Sequence, residues 1–134
     1  MKPGFVDTSF YIALTNPRDA LHAAAKRLGQ QTRGQVITTE YVLIEVGNWL
    51  SRSGDKPLFI QLLADVQADP RTTILPASHD LFVRGNALFA QRLDKDWSLT
   101  DCISFTVMKQ FGLTDALTSD HHFEQAGFTI LLRD

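Results

Sequence analysis

The sequence has little of what marks disulfide-stabilised, membrane-spanning or secreted proteins. Its 134 residues include a single cysteine, Cys102, so no disulfide bond can close within the chain. No apolar run is long enough to cross a bilayer as a helix. The first acidic residue, Asp7, comes too early for the apolar segment of a secretion signal to precede it. We therefore expect a cytoplasmic protein without a membrane segment.

A surplus of positive charge is absent as well. The formal net charge is −2 and the isoelectric point is near 6.0, so no overall positive field attracts a polyanion. A nucleic acid would have to be held by a local site or through metal ions. The sequence also lacks a glycine-rich phosphate loop and a serine in the G-x-S-x-G context of many hydrolases. These two common kinds of site are therefore not expected.

The remaining composition is typical of one globular domain, which we predict to span residues 1–134. Hydrophobic residues make up 44% and charged residues 21% of the chain, which are ordinary values for a protein with one core. Strands are predicted at residues 5–7, 36–39, 72–75, 115–118 and 128–132. Helices are predicted at residues 10–14, 20–31, 39–52, 55–69, 78–93, 98–111 and 121–125. This alternation predicts an α/β domain with a mostly parallel sheet.

Two of the predicted helices carry expectations about burial. In the helix over 78–93, the residues expected to face inwards are Leu81, Phe82, Leu88, Phe89 and Leu93. The helix after Trp97 is apolar around most of its circumference, which is typical of a buried helix. Ser98 and Asp101 have the spacing of a capping box at its start. Asp101 also lies on the apolar side of this helix, where a carboxylate is costly unless a partner stabilises it.

Four acidic residues have semi-buried positions in this arrangement. Asp7 and Asp120 follow predicted strands, and ligands of parallel sheets bind beyond the carboxyl ends of the strands. Asp101 and Glu45 lie on helices that can bring them to the same edge. Each acid alone has a simpler explanation, as a helix cap or a carboxylate in water. Together they favour a site for Mg²⁺ or Mn²⁺, because a divalent cation offsets the repulsion among carboxylates.

The order of four short motifs resembles that of the PIN-domain nucleases. These motifs are Phe5-Val6-Asp7-Thr8-Ser9, Val42-Leu43-Ile44-Glu45-Val46, Trp97-Ser98-Leu99-Thr100-Asp101-Cys102 and Leu117-Thr118-Ser119-Asp120-His121-His122-Phe123. The similarity extends over nearly the whole chain and is greatest to the small bacterial PIN proteins that include VapC-type toxins. One departure is Ser119, where the family often has a bulkier residue such as Phe.

The resemblance implies a three-layer α/β/α fold and a ribonuclease that depends on Mg²⁺ or Mn²⁺. Within the four-acid catalytic set, it implies Asp7, Asp101 and Asp120 as metal ligands, with Glu45 acting through water. It implies supporting hydrogen bonds from two threonines beside these acids, Thr8 and Thr118. For a toxin, it also implies an RNA substrate, an antitoxin partner and a homodimer.

Three other functions are compatible with the sequence. The chain could be a housekeeping RNA-processing PIN nuclease without an antitoxin, or a PIN module that binds RNA or protein without cleavage. A metal-dependent phosphatase of small molecules could also use an open acidic site. The adjacent histidines, His121 and His122, have positions from which they could approach a phosphate, but we expect them to be exposed on a short helix.

Overall fold

Five short strands form one all-parallel sheet in the order β3-β2-β1-β4-β5. The computed structural model describes residues 2–134. Its strands are β1 (Gly4–Val6), β2 (Val36–Thr39), β3 (Thr72–Leu75), β4 (Asp115–Leu117) and β5 (Thr129–Ile130). The helices in this range are α1 (Thr8–Thr15), α2 (His22–Gln31), α3 (Glu40–Arg52), α4 (Lys56–Ala68), α5 (His79–Gln91), α6 (Leu99–Gln110) and α7 (His121–Gln125). The expected α/β/α fold is confirmed.

The strand order creates a switch point between β1 and β4. From β1 the chain moves outward to β2 and β3, and it then returns to add β4 on the other side of β1. Val6 and Leu117, the last residues of these two strands, lie opposite each other in the register. Connections leave in opposite directions from such a pair, so a crevice opens beyond the two strand ends. Asp7 follows one of these ends directly.

Most predicted elements are present, with small shifts at their ends. The first strand ends at Val6, so Asp7 is the N-cap of α1 and not a strand residue. The last strand is reduced to Thr129–Ile130. Over residues 2–134, no helix combines the length and the apolar composition needed to cross a membrane.

The predicted burial of α5 is partly wrong. Leu81 is buried and Leu88 is half-buried, but Phe82 and Phe89 are roughly half exposed and Leu93 is 85% exposed. The reason is that only the stripe of α5 with Leu81 and Gly85 packs closely on α6, whereas Phe82 and Phe89 lie to one side of that stripe. Leu93 lies beyond the end of α5 at Gln91. Periodicity identified apolar residues but could not show that the second face has nothing packed on it.

A cluster of aromatic rings holds α6 against α7 and the sheet. Phe105 of α6 has ring centroids 5.0 Å from Trp97 and 4.9 Å from Phe123, both in edge-to-face geometry. Phe123 of α7 in turn lies 6.4 Å from Phe5 of β1. Phe5, Phe105 and Phe123 are fully buried. This cluster therefore fixes the relative positions of three elements that begin or end beside the switch point.

Close packing of α5 on α6 predicts a sharp effect of Gly85→Ala. A Cβ atom at Gly85 would lie 3.3 Å from the Ile103 Cα and would overlap the Ile103 side chain. Overpacking of this kind costs about 1–3 kcal/mol, so the free energy of unfolding should fall by that amount in urea denaturation. Gly29→Ala in α2 is the matched control, because its Cβ would meet only Phe10 Cζ at 3.6 Å. The control should be neutral or more stable by up to about 1 kcal/mol; equal effects of both changes would contradict the account.

Candidate functional site

Side chains from four elements meet beyond the carboxyl ends of β1 and β4. Asp7 is the N-cap of α1, Asp101 lies in the first turn of α6, and Asp120 is the N-cap of α7. Glu45 lies on α3, and its charge acts on Asp7 together with that of Asp101. The Asp120 charge acts on Asp101. The structure thus brings together the four acids that the sequence predicts as one set.

Asp7 is the most buried acid of the site, with 3% of its surface exposed. Its Oδ2 accepts a 2.9 Å hydrogen bond from the Thr118 hydroxyl. Its Oδ1 is buried and has no hydrogen-bond partner among residues 2–134. Within the same residues, Asp7 makes no side-chain capping bond to α1. Asp7 therefore occupies the N-cap position without a side-chain capping bond, so capping does not explain its buried carboxylate.

Burial raises the pKa of Asp7 to about 7, against the lowering effect of the Thr8 N–H and the Thr118 hydroxyl, and the Asp101 and Glu45 carboxylates add smaller increases. Burial likewise raises the pKa of Asp101, to which the Asp120 charge contributes. Both pKa increases indicate that the site disfavours negative charge when no cation is bound. A positive ion among these groups would offset both shifts, because it favours the ionised form of each carboxyl group.

Asp101 both caps its helix and faces the site. Its backbone N–H donates to Ser98 Oγ at 3.0 Å, and its Oδ2 accepts from the Ser98 N–H at 3.1 Å. The predicted capping box is therefore confirmed. The same Oδ2 atom lies 3.2 Å from His122 Nδ1. The capping explanation accounts for one contact of this carboxylate but not for its contact with His122.

Asp120 also combines a cap with a place in the site. Its Oδ1 accepts from the His122 N–H at 2.9 Å and lies 3.3 Å from His122 Nδ1. Its own backbone N–H donates to Thr118 Oγ1 at 3.1 Å. Because the Thr118 hydroxyl also donates to Asp7, one fully buried threonine links two acids of the set. Ser9 Oγ lies 2.9 Å from the same hydroxyl and accepts from the Ser119 N–H.

Glu45 reaches the site from a half-buried position on α3. The Thr8 hydroxyl donates a short hydrogen bond to Glu45 Oε1. Thr8 and Thr118 therefore both contact carboxylates, as the sequence comparison with PIN proteins led us to expect. The two hydroxyls orient Glu45 and Asp7, the two acids that flank the start of α1.

His122 is a member of the site that the sequence reasoning missed. Its side chain is only 20% exposed, contrary to the expectation, whereas that of His121 is 70% exposed as expected. No signal in the sequence distinguishes the two histidines, because both follow Asp120 on the same short helix. Its Nδ1 lies between Asp101 and Asp120.

The donor set fits a divalent cation. Carboxylate oxygens are the ligands that Mg²⁺ and Mn²⁺ prefer, and the buried Asp7 Oδ1 lacks another partner among the described residues. The groups that could hold a metal are Asp7, Asp101 and Asp120. Among residues 2–134, the group whose potential ligand atoms all lie within 4.8 Å of one another is Asp120, His121 and His122, and it does not include Asp7 or Asp101. An anion such as phosphate would bind poorly to these acids without a cation between them.

Two comparisons with known proteins point to the same family. The PIN domain model matches residues 4–129. The 23S rRNA-specific endonuclease VapC20 of Mycobacterium tuberculosis is 32% identical over 124 residues, which cover 92% of this chain and 94% of that protein.

Solved structures agree in fold. The crystal structure of M. tuberculosis VapC20, described as a sarcin–ricin loop cleaving toxin, has a TM-score of 0.87 and 30% identity, with 96% of this chain and 97% of that chain covered. A toxin–antitoxin complex from Klebsiella pneumoniae has a TM-score of 0.61 and 19% identity, with 88% of this chain and 87% of that chain covered. The second likeness shows the fold alone.

Proposed function

Because the chain belongs to the PIN-domain family, we propose that it is a metal-dependent endoribonuclease and the toxin of a toxin–antitoxin pair. The observation that carries this proposal is the buried Asp7 Oδ1, which has no hydrogen-bond partner among residues 2–134 and lies near other carboxylates. This arrangement is unfavourable in the free protein and favourable around a cation. VapC20 supports the activity, since it is an rRNA endonuclease related over 92% of the chain.

In this proposal Asp7, Asp101 and Asp120 hold Mg²⁺ or Mn²⁺. When bound, the cation supplies Lewis-acid stabilisation of the negative charge that develops on a phosphodiester during hydrolysis. The cation also compensates for the missing overall positive charge, because it gives a local attraction for the RNA backbone. We propose ribosomal RNA as the first substrate to test, since VapC20 is specific for 23S rRNA.

Glu45 is the proposed general base. The Thr8 hydroxyl fixes one oxygen of its carboxylate, and its half-buried position leaves it access to water. A carboxylate held in this way can orient an attacking water and accept its proton. Thr118 has a different role, because its hydroxyl keeps Asp7 at a set distance from the start of α7.

An antitoxin and a second copy of the chain are the proposed partners. The support is the fold shared with a toxin–antitoxin complex and the exposed apolar side chains of Ile44, Ile60 and Leu93. Apolar residues of this size in contact with solvent are available to a protein partner. We further propose that residues 1–134 form a single domain that acts in the cytoplasm, where rRNA is found.

RNA cleavage by the purified protein tests the nuclease. Ribosomes and free rRNA are incubated with protein in Mg²⁺, Mn²⁺ or EDTA, and the cleavage sites are mapped by primer extension. We expect cleavage in either metal, no cleavage in EDTA, and a loss of more than about 100-fold for Asp101→Asn. Asp80→Asn is the matched control, because Asp80 is exposed on α5 and pairs with Arg84. Cleavage that persists in EDTA and in Asp101→Asn would contradict the proposal.

Growth on induced expression tests the toxin role separately. The wild-type chain should arrest growth, Asp101→Asn should not, and co-expression of the product of a neighbouring gene should relieve the arrest. Tolerance of the active enzyme without any partner would favour the housekeeping nuclease. A folded chain that binds RNA but cleaves none in either metal would favour the binding module.

Thr118→Val should weaken the site without removing a carboxylate. The substitution keeps the buried volume but removes the hydroxyl that donates to Asp7 Oδ2 and accepts from the Asp120 N–H. Loss of such a supporting group typically lowers metal affinity or activity by about 10–100-fold. Steady-state cleavage at varied Mn²⁺ concentration measures both. Thr118→Ser retains the hydroxyl and should keep most activity; equal losses in both variants would argue against the hydrogen bonds.

A further inference from the structure

We infer that Ser9 is a positioning residue of the acidic site, because its hydroxyl donates to Thr118 and thereby directs the Thr118 proton to Asp7. The inference rests on the proposed metal-dependent function and deepens it, since it adds a residue on which cation binding depends. The sequence predicts supporting hydrogen bonds from Thr8 and Thr118 but none from Ser9.

Four hydrogen bonds meet at the hydroxyl groups of Ser9 and Thr118. Thr118 Oγ1 lies 2.9 Å from Asp7 Oδ2, 2.9 Å from Ser9 Oγ and 3.1 Å from the Asp120 nitrogen. Ser9 Oγ in addition accepts from the Ser119 N–H at 3.0 Å. Thr118 is fully buried and Ser9 is half-buried, so the Thr118 hydroxyl is closed off from water.

The number of available protons determines the direction of each bond. A hydroxyl group has one proton to donate and two lone pairs with which to accept, whereas an ionised carboxylate only accepts. The single Thr118 proton is therefore directed to Asp7, in the ionised form that a cation requires. Because Thr118 has no second proton, Ser9 is the donor in the contact between the two hydroxyls. Ser9 and the Asp120 N–H then fill both lone pairs of Thr118.

This order makes Thr118 a better donor to Asp7. Hydrogen bonds in a chain polarise one another, so a hydroxyl that accepts a bond donates more strongly. The bond from Thr118 to an ionised carboxylate is charge-assisted, which places it among the strong hydrogen bonds of proteins. Donation from the Ser119 N–H through Ser9 to Thr118 therefore adds to the stabilisation of negative charge on Asp7. Loss of the Ser9 hydroxyl would leave one lone pair of the buried Thr118 oxygen unfilled.

The chain of bonds acts on one oxygen of Asp7 and leaves the other for a ligand. Ser9 lies in the first turn of α1, two residues after Asp7, and Thr118 directly follows β4, so their contact crosses the switch point between β1 and β4. Asp7 Oδ2 is held by Thr118, whereas the buried Oδ1 has no hydrogen-bond partner among residues 2–134. The oxygen without a partner is therefore the one that a cation would contact.

Titration of the full chain with Mn²⁺ tests the role of Ser9 without relying on activity. Free Mn²⁺ is followed by electron paramagnetic resonance, and folding is checked by circular dichroism. The variants are Ser9→Ala, Ser9→Thr, which keeps the hydroxyl, and Ser9→Ala in the Thr118→Val background. Ser104→Ala is the matched control, because Ser104 is fully buried on α6 and its hydroxyl has no hydrogen-bond partner in the described part of the chain.

We expect the Mn²⁺ affinity of Ser9→Ala to fall about 10-fold, and that of Ser9→Thr and Ser104→Ala to change by less than about threefold. In the Thr118→Val background, Ser9→Ala should change the affinity by less than about twofold, because the chain of bonds to Asp7 is already broken. At saturating Mn²⁺, the rate of rRNA cleavage by Ser9→Ala should remain within about threefold of the wild-type rate.

Wild-type Mn²⁺ affinity in a folded Ser9→Ala protein would overturn the inference. An equal loss on adding Ser9→Ala to Thr118→Val would overturn it as well, because Ser9 would then act independently of Thr118. So would a loss in Ser9→Thr as large as that in Ser9→Ala. Failure of the wild type to bind Mn²⁺ would contradict the proposed function together with this inference, whereas metal-dependent rRNA cleavage with no effect of Ser9→Ala would contradict the inference alone.

Discussion

Asp7→Asn is expected to abolish RNA cleavage and to stabilise the metal-free fold at the same time. The change removes the negative charge of the most buried acid while the side-chain carbonyl can still accept from the Thr118 hydroxyl. Cleavage should fall by more than about 1,000-fold, because a cation would lose its most buried ligand. Loss of cleavage together with a higher free energy of unfolding is the result expected when a buried, destabilising charge serves the function.

The sign of the stability effect follows from the pKa of Asp7. Burial is the main cause that raises this pKa from 3.8 to about 7 in the folded protein, with smaller contributions from the Asp101 and Glu45 charges and opposing ones from Thr8 and Thr118. The unfolded state therefore loses its proton first, and wild-type stability without metal falls as the pH rises from about 4 to about 7. The full difference corresponds to about 4 kcal/mol, and relaxation of the site reduces it to an expected 1–3 kcal/mol. Asparagine carries no such penalty above pH 7, and the two proteins should converge below about pH 4.

Urea unfolding at pH 4 and pH 8 measures this effect. In EDTA at pH 8, Asp7→Asn should be the more stable protein. In saturating Mn²⁺ the order should reverse, because only the wild type gains stability from bound metal. Asp80→Asn, at an exposed site on α5, should follow the wild type in both conditions. A variant that is less stable than the wild type in EDTA and still gains stability from Mn²⁺ would contradict the account of Asp7.

Phe105→Ala should cause the largest loss of stability among single substitutions in the aromatic cluster. The ring is fully buried and contacts Trp97, Phe123 and Phe128, at centroid distances of 5.0, 4.9 and 5.7 Å. Removing a buried phenylalanine costs about 3–5 kcal/mol, which lowers the melting temperature of a domain this size by roughly 10–20 °C. Asp101 lies one helical turn before Phe105, so metal affinity should fall as well.

Phe111→Ala is the matched control, since this residue follows the end of the same helix and is roughly half exposed. Its cost in the free energy of unfolding should be below about 1 kcal/mol. Differential scanning calorimetry of both variants provides the comparison. Similar melting temperatures for the two would show that the aromatic cluster does not support the fold in the way described.

The places of the four acids in the fold were largely predictable, because these residues have local signals. Asp7 and Asp120 follow apolar strand segments, and the parallel sheet places such strand ends along one edge. The Ser98–Asp101 capping box was visible as a spacing and is present. A role as helix cap and a place in the site also proved compatible. The Asp101 and Asp120 carboxylates each accept a backbone hydrogen bond at a helix start and also lie close to His122.

Features that depend on the order of strands could not be predicted. Nothing in the sequence indicates that β4 inserts beside β1, although this neighbour relation creates the crevice at the switch point. The exposed positions of Phe82 and Phe89 depend on which elements pack on α5, and apolar character alone is silent on this. The exposure of His122 was predicted wrongly because its side chain contacts Asp101 of α6, and the sequence does not show that α6 and α7 are neighbours.

Anomalous scattering from a Mn²⁺-soaked crystal tests the central claim most directly. The account predicts a single strong manganese peak at the carboxyl ends of β1 and β4, in direct coordination with Asp7 Oδ1, the buried oxygen without a partner in residues 2–134. The same soak of Asp7→Asn should show a much weaker peak or none. A peak that contacts only exposed acids, with Asp7 Oδ1 still uncoordinated in the wild type, would contradict the claim that these carboxylates form one cation site.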